Sequence, residues 1–482
     1  MDGSGSGKTA CYVKPNILQK LGSYVMTDPK GELFRETSGY LKDNGYKIMT
    51  LNLIDTEYSD RYNPLSHIKD HSDVDIIAQT IIMGNEKNGK SNDPFWDNTA
   101  KMLLKACIYY VISVLPEEEQ NLSSCLNIVR AGGSDETLLD KLFIDELKPD
   151  HPGRKEYESI RLGADKTKQS IAISLVSKLS HFDTPNIQKV TTTNDFDFEL
   201  LGREKVAIYV ITPPDTDTYD YILTVFFSQL LQRLFSEASK RGGALKQPVY
   251  LLLDEFANIG QIPSFEKKLS VTRSYGISIS IVVQSLDQLE ALYKDNYENI
   301  LGNCDTHLFL GSQSLKTCEY FCKSLGQKTI KYYSKSINKD KKEKEKQGVS
   351  LSEQRQGREL MTVDEIKRLD PEDEIILIRG LKPIKAKKYW YFKFHPQKDI
   401  VNQTIIHDIS EMVKPEEIKI CTMNVEEHFE NRNKSIESNK KQVEHVENFK
   451  EVEDTKPIEE EYDLQKELEK KFDELFGENT NN

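Results

Sequence analysis

Short, unbroken apolar runs recur along the chain, separated by stretches whose apolar residues fall at helical spacing. SYVMTD (23–28), YKIMTLNL (46–53), KVAIYVIT (205–212), PVYLLLDEF (248–256), SISIVVQS (278–285), HLFLGS (307–312), EIILIRG (374–380) and KYWYF (388–392) read as strands. A strand apolar at every position, rather than at every second one, is covered on both faces. The pattern therefore predicts an α/β fold with a mostly parallel sheet and crossover helices.

Between residues 70 and 195 the period changes. DPFWDNTAKMLLKACIYYVISVL and KTKQSIAISLVSKLSHF carry apolar residues at helical spacing with no strand between them, which predicts an all-α insertion. From Tyr332 to Arg358 apolar residues are scarce and KDKKEKEKQG is nearly all charge, so a mobile loop is expected there. The lysines of that run are offset by interleaved glutamates, which favours a solvated loop over a DNA contact. Residues 413–460 are again rich in Glu, Lys and Asn; beyond them Leu464, Leu468, Phe472, Leu475 and Phe476 form one stripe of an amphipathic helix. The resulting division is 1–69 and 196–395 for the two parts of a nucleotide-binding domain, 70–195 for the helical insertion and 396–482 for a charged tail, disordered and then helical.

Composition adds three constraints. Hydrophobic residues make up 37% and charged residues 30%, as for a packed body carrying solvated segments. The net charge of -13 opposes non-specific wrapping by nucleic acid but leaves room for a local basic lining. Seven scattered cysteines read as reduced thiols of a cytoplasmic compartment, and no apolar run approaches the ~20 residues of a membrane-spanning helix. Cys304, His307, Cys318 and Cys322 crowd one stretch, yet their spacing does not pair them as zinc knuckles, and packed or surface cysteines are expected.

The chain opens on MDGSGSGKT, and its residues Gly3, Ser4, Gly5, Ser6, Gly7, Lys8 and Thr9 match a phosphate-binding loop. Glycines let backbone amides turn inward on phosphate oxygens, Lys8 supplies a point charge for the β- and γ-phosphates, and the Thr9 hydroxyl suits Mg2+. Asp2 stands where the pattern places its first glycine. PVYLLLDEFANIG is a hydrophobic strand ending in two acids: Asp254 is expected to hold Mg2+ through water, and Glu255 to orient or polarise an attacking water. Two motifs in this order, roughly 250 residues apart, point to ATP hydrolysis. Further on, Gln284 falls at the mouth of the next strand, where it would sense a γ-phosphate, and Arg273 precedes that strand as a candidate arginine finger.

GSGSGKT (3–9), TDPKGEL (27–33), YNPL (62–65), DPFW (93–96), LLLDEFANIGQIP (251–263) and GREL (357–360) together resemble the type IV coupling proteins, the TraG/TraD family of conjugative DNA-transfer ATPases, in their Gram-positive form. The resemblance covers roughly residues 1–395. It implies a RecA-like P-loop NTPase core with an all-helical insertion, ATP and Mg2+ as cofactors, and a hexameric homo-oligomer. It further implies a position on the cytoplasmic face of the membrane, and partners among relaxase–DNA complexes (the relaxosome), single-stranded DNA and type IV secretion channel proteins. Lys8, Thr9, Asp254, Glu255, Gln284 and Arg273 fall on the family's Walker A, Walker B, glutamine-sensor and arginine-finger positions. TDPKGEL also reads as a plain turn, with Asp28 first, Pro29 second and Gly31 last; Asp28 and Lys30 lining the site is the other reading.

Family members carry transmembrane helices and a strand leading into the P-loop, and this chain shows neither before Gly3. Met1 is accordingly expected to be a fragment boundary or a misplaced start, with an unpaired slot in the sheet beside the Walker B strand. Two other functions stay open: a HerA/FtsK-type double-stranded DNA pump, and an adaptor with impaired ATPase that docks relaxase or channel partners.

Overall fold

The structure is a computed structural model and describes residues 7–83, 94–134, 136–161, 165–214, 218–338 and 348–394, with residues 425, 427–431 and 434. The chain divides into two units, Met1–Val425 and Glu426–Asn482, and both the sheets and the candidate site lie in the first. The expected amphipathic stripe from Leu464 to Phe476, and most of the charged tail, fall outside the described residues.

Five parallel strands form the main sheet. β1 (Ser23–Asp28), β2 (Lys47–Asn52), β3 (Val206–Ile211), β4 (Val249–Leu253) and β5 (Ile277–Ile281) lie in the order β2-β3-β1-β4-β5. β1 and β3 are buried at every position; β3 accordingly is apolar throughout, while β1 is apolar at Tyr24–Met26 and buries Ser23, Thr27 and Asp28 at its ends. Around them pack the crossover helices α1 (Lys14–Leu18) and α2 (Glu32–Asp43). Val13, Ile17, Tyr24, Met26, Phe34 and Tyr209 share one core, and Phe34 meets Tyr209 edge to face at 5.3 Å.

Between β2 and β3 the chain is helical: α3 (His71–Met83), α4 (Pro94–Val114), α5 (Leu122–Ser134), α6 (Glu136–Asp140), α7 (Pro152–Arg161), α8 (Asp165–Leu179) and α9 (Pro185–Thr191). After β3 comes α10 (Asp220–Lys240), and α11 (Phe265–Tyr275) joins β4 to β5. The YNPL segment is a latch between these helices and the body. Tyr62 hydroxyl donates to Gln229 of α10, Pro64 carbonyl accepts from the same amide at 2.9 Å, and Asn63 Nδ2 donates to the Gln120 carbonyl at 2.7 Å. A buried ion pair, Arg233–Asp73, ties α10 to α3.

A second, antiparallel sheet follows. After α12 (Leu286–Tyr293) and α13 (Tyr297–Asn303) come β6 (Thr306–Phe309), α14 (Leu315–Leu325), β7 (Gln327–Asn338) and β8 (Gly348–Glu359). α15 (Val363–Lys367), β9 (Asp373–Ile378) and β10 (Ile384–Lys387) complete it, in the order β10-β9-β6. Cys318 and Cys322 are buried beside Phe309, Phe321, Ile366 and Ile375.

Three expectations change. The stretch read as a loop over 332–358 carries paired strands on both sides of residues 339–347, which lie outside the described residues. β7 and β8 pair from Gln327↔Glu359 to Asn338↔Gly348, and the exposed residues along them show that this ribbon meets solvent rather than a core. It therefore needs no apolar face, and scarcity of apolar residues does not reveal it. The last strand is not KYWYF but IKAK, where Lys385 and Lys387 pair with Asp373 of β9; the aromatic residues follow in a turn over Tyr391–Lys393. Finally, β4 is hydrogen-bonded on both edges, to β1 and to β5. The open edge expected beside it lies instead on β5, which faces β6 across a cavity of about 1010 Å³.

Candidate functional site

The site lies where the amino-terminal loop meets the ends of β4 and β5. Gly3, Ser4, Gly5 and Ser6 are outside the described residues, and Gly7 is the first loop residue seen. Gly7 has φ 83°, a left-handed conformation that glycine adopts without Cβ strain. From it Lys8–Val13 forms a wide helical turn that runs into α1, with Cys11 N–H donating to the Gly7 carbonyl at 2.6 Å. The amides of a first helical turn have no partner within the helix and are the anion-binding end of the element.

Asp254 follows β4 directly, and its Oδ2 accepts a 2.7 Å hydrogen bond from Thr9 Oγ1. Burial raises the Asp254 carboxyl above the usual carboxylate range; the Thr9 bond and the nearby Lys8 act against that shift, while Glu255 adds to it. Glu255 adopts a left-handed backbone at φ 50°, ψ 47°, which costs a non-glycine residue about 1–2 kcal/mol. The loop is held in that state on both sides: Glu255 N–H donates to Asp254 Oδ1 at 3.1 Å, and Phe256 N–H donates to the Val282 carbonyl at the end of β5 at 3.0 Å. The strained turn throws the Glu255 side chain back over the loop, where Lys8 Nζ lies 3.7 Å from it. Gln284 Nε2 donates to both Glu255 oxygens at 3.2 and 3.1 Å.

Lys8, Thr9, Asp254, Glu255 and Gln284 thus form one contiguous group. Arg273 does not join it. Its side chain projects from the end of α11, 89% exposed, with Nη1 3.3 Å from Asp305.

Several supporting residues carry no local signal in the sequence. Thr27 Oγ1 donates to the Asp254 carbonyl at 2.6 Å, fixing the end of β4 against β1, and Tyr12 hydroxyl meets Ser280 Oγ of β5 at 2.8 Å. Both follow from which strands are neighbours, which only the folded sheet supplies. In TDPKGEL, Gly31 N–H donates to the Asp28 carbonyl at 3.3 Å and closes the turn, with Gly31 at φ 68°. The Asp28 carboxylate is turned inward and accepts from Phe34 N–H at 2.8 Å, so it holds the start of α2, while Lys30 is exposed. Burial pushes the Asp28 carboxyl up to about 6 against those backbone bonds.

Thr9 and Asp254 offer a hydroxyl and a carboxylate oxygen to one point, the donor chemistry that a small hard dication takes. A desolvated carboxylate with a raised pKa is also the group that gains most from a neighbouring positive charge. The residues present therefore fit Mg2+. No helix among the described residues is long and apolar enough to cross a membrane.

Comparison with known proteins agrees with this geometry. The chain is 25% identical over 401 residues to protein VirD4 of Rhizobium radiobacter, covering 80% of this chain and 56% of that protein. It is 24% identical over 424 residues to the conjugal transfer protein TraG of Escherichia coli, covering 80% of this chain and 66% of the relative. It spans, then, just over half to about two-thirds of these relatives' lengths. The plasmid coupling protein TrwB, solved with the non-hydrolysable ATP analogue ADPNP, superposes with a TM-score of 0.60 at 15% identity over 80% of this chain and 83% of that one. TrwB with ADP and Mg2+ superposes at 0.57 and 16% identity over 81% and 83%. These structures share the RecA-like core. The family model for type IV secretory system conjugative DNA transfer matches residues 1–469, and with the nucleotide-loop geometry above, the chain belongs to that family of type IV coupling proteins.

Proposed function

We propose that this chain is an ATP-driven coupling protein that brings relaxase–DNA complexes to a type IV secretion channel and moves single-stranded DNA through it. One observation carries the reading: a loop lysine and threonine from the amino terminus meet two acids and a glutamine from the middle of the chain.

In the reaction proposed, Lys8 and the first-turn amides bind the phosphates of ATP. Thr9 and Asp254 would hold Mg2+, whose chemistry when bound is to neutralise phosphate charge. Lys8 and Glu255 face each other at 3.7 Å, so a phosphate bound by Lys8 competes with Glu255 for the lysine. Glu255 released from Lys8 keeps its Gln284 contacts and is free to orient the attacking water. Gln284 reads the γ-phosphate through that same carboxylate. Arg273, free of the cluster and exposed, suits a role in trans at the nucleotide of the next copy in a hexameric ring. Attachment at the cytoplasmic face of the membrane, relaxase recruitment by the helices between β2 and β3, and the division 1–69, 70–195, 196–395 and 396–482 belong to the same proposal.

The test is DNA-stimulated ATP hydrolysis by the full chain and by Lys8→Ala. The proposal expects turnover that rises with single-stranded DNA, falls with salt, and vanishes in the variant. Equal rates in both proteins, or none in either, would leave a docking adaptor as the better reading.

A further inference from the structure

Glu255 and Gln284 mark one end of the nucleotide site, the end where the γ-phosphate belongs. At the loop's other flank lies an aromatic segment that the proposed chemistry does not use. After β10 the chain reads KYWYFKF over 388–394 and crosses the first turn of the P-loop helix. The six-membered ring of Trp390 packs against Gly7 so closely that a Cβ there would sit 2.8 Å from its Cη2. About two helical turns further along, the Tyr391 ring lies 5.1 Å from Lys14 Nζ, and its hydroxyl donates to Glu36 at 3.3 Å. Phe392 sits 5.4 Å from Trp390, centroid to centroid, and remains 42% exposed.

A chain of phosphates bound by Lys8 and Thr9 has to leave the loop carrying its ribose and base away from the acid pair. Aromatic rings next to a phosphate loop, Trp390 half-buried and Phe392 exposed, match such a ligand, charged at one end and flat and apolar at the other. We propose that Trp390 and Phe392 form the platform on which the nucleobase stacks, with Tyr391 positioning them by anchoring to Lys14 and Glu36. This rests on the reading of Lys8, Thr9 and Asp254 as a nucleotide site. Stacking on an aromatic face is tolerant of base identity and favours the larger purines, so the platform selects for a purine ring over none rather than for adenine over guanine.

Two tryptophans are present, so Trp96→Phe leaves Trp390 as the sole reporter in the full chain. That protein is titrated with Mg-ATP, Mg-GTP and inorganic tripolyphosphate, the last carrying phosphates but no ring. Quenching of Trp390 by both nucleotides, with tripolyphosphate binding silently, is expected. Replacing Trp390 and Phe392 together by Ala should weaken ATP roughly 5- to 150-fold, leave tripolyphosphate unchanged, and be largely reversed in Trp390→Phe with Phe392 restored. Silent ATP binding, or an equal loss for both ligands, overturns the platform even though the phosphate site stands. Quenching by a dT oligonucleotide with ATP silent would assign the rings to DNA and also overturn it. If neither ATP nor tripolyphosphate binds, the nucleotide reading itself fails and the platform with it.

Discussion

Thr9 Oγ1 donates to Asp254 Oδ2 at 2.7 Å although 245 residues separate them. Neither motif alone is a site; this bond is where the two ends of the proposed nucleotide machinery meet. Asp254→Asn keeps an acceptor for Thr9 but removes the charge that a cation needs. ATP turnover should fall by roughly 10²–10³, with the apparent Mg2+ requirement shifted upward, as read from hydrolysis rates across a Mg2+ titration. The variant should be no less stable than the parent, since burial penalises the charged form it removes.

Glu255→Gln tests the water-orienting role apart from binding. Gln284 can still donate to the new amide oxygen, so the loop geometry survives. ATP affinity measured by equilibrium binding should stay within about threefold, or rise as Lys8 loses its carboxylate partner. Single-turnover hydrolysis should slow by roughly 10²-fold or more. A variant that hydrolyses at the parent rate would remove Glu255 from the chemistry.

Asp28 sets a pH dependence. Its folded-state value of about 6 lies above the ordinary aspartate value, so the folded protein favours the protonated form. That contribution is fully present below about pH 4 and is lost as pH rises through about 6. Asp28→Asn should therefore gain on the parent as pH rises from about 3 to about 7, by up to about 3 kcal/mol in urea unfolding. A constant difference across that window would mean Asp28 is ionised throughout.

Arg233 and Asp73 form a buried pair joining α10 to α3. Removing one member strands the other charge, so Arg233→Ala should destabilise by about 3–5 kcal/mol. Arg233→Met with Asp73→Leu should recover most of that loss. Thermal unfolding of the single and double variants decides this.

Legibility in the sequence follows coverage. Val206–Ile211 is visible because a strand buried on both faces is apolar throughout, and β1 shows by its Tyr24–Met26 centre for the same reason. Asp254 and Glu255 are visible because two acids closing such a strand are conspicuous. Thr27 and Tyr12 are not, since their roles depend on β1 lying beside β4 and on the Lys8–Val13 turn lying against β5. Trp390 reads as a strand residue by composition, yet its ring packs on Gly7 and the chain turns immediately after it, over Tyr391–Lys393. The β7–β8 ribbon escapes notice for the opposite reason: with little to bury, its pairing leaves no trace in hydropathy.

The strand order has a consequence for synthesis. Tyr24 of β1 pairs with Ala207 of β3, and Ile48 of β2 pairs with the same residue from the other side. Neither early strand has a partner until roughly 160–180 further residues have left the ribosome, a wait of about 10–40 s at ordinary elongation rates. During that interval two strands destined for the interior of the sheet stand unpaired. Holding them from aggregation is a task for whatever chaperone reaches the growing polypeptide, and a slower ribosome would lengthen their exposure.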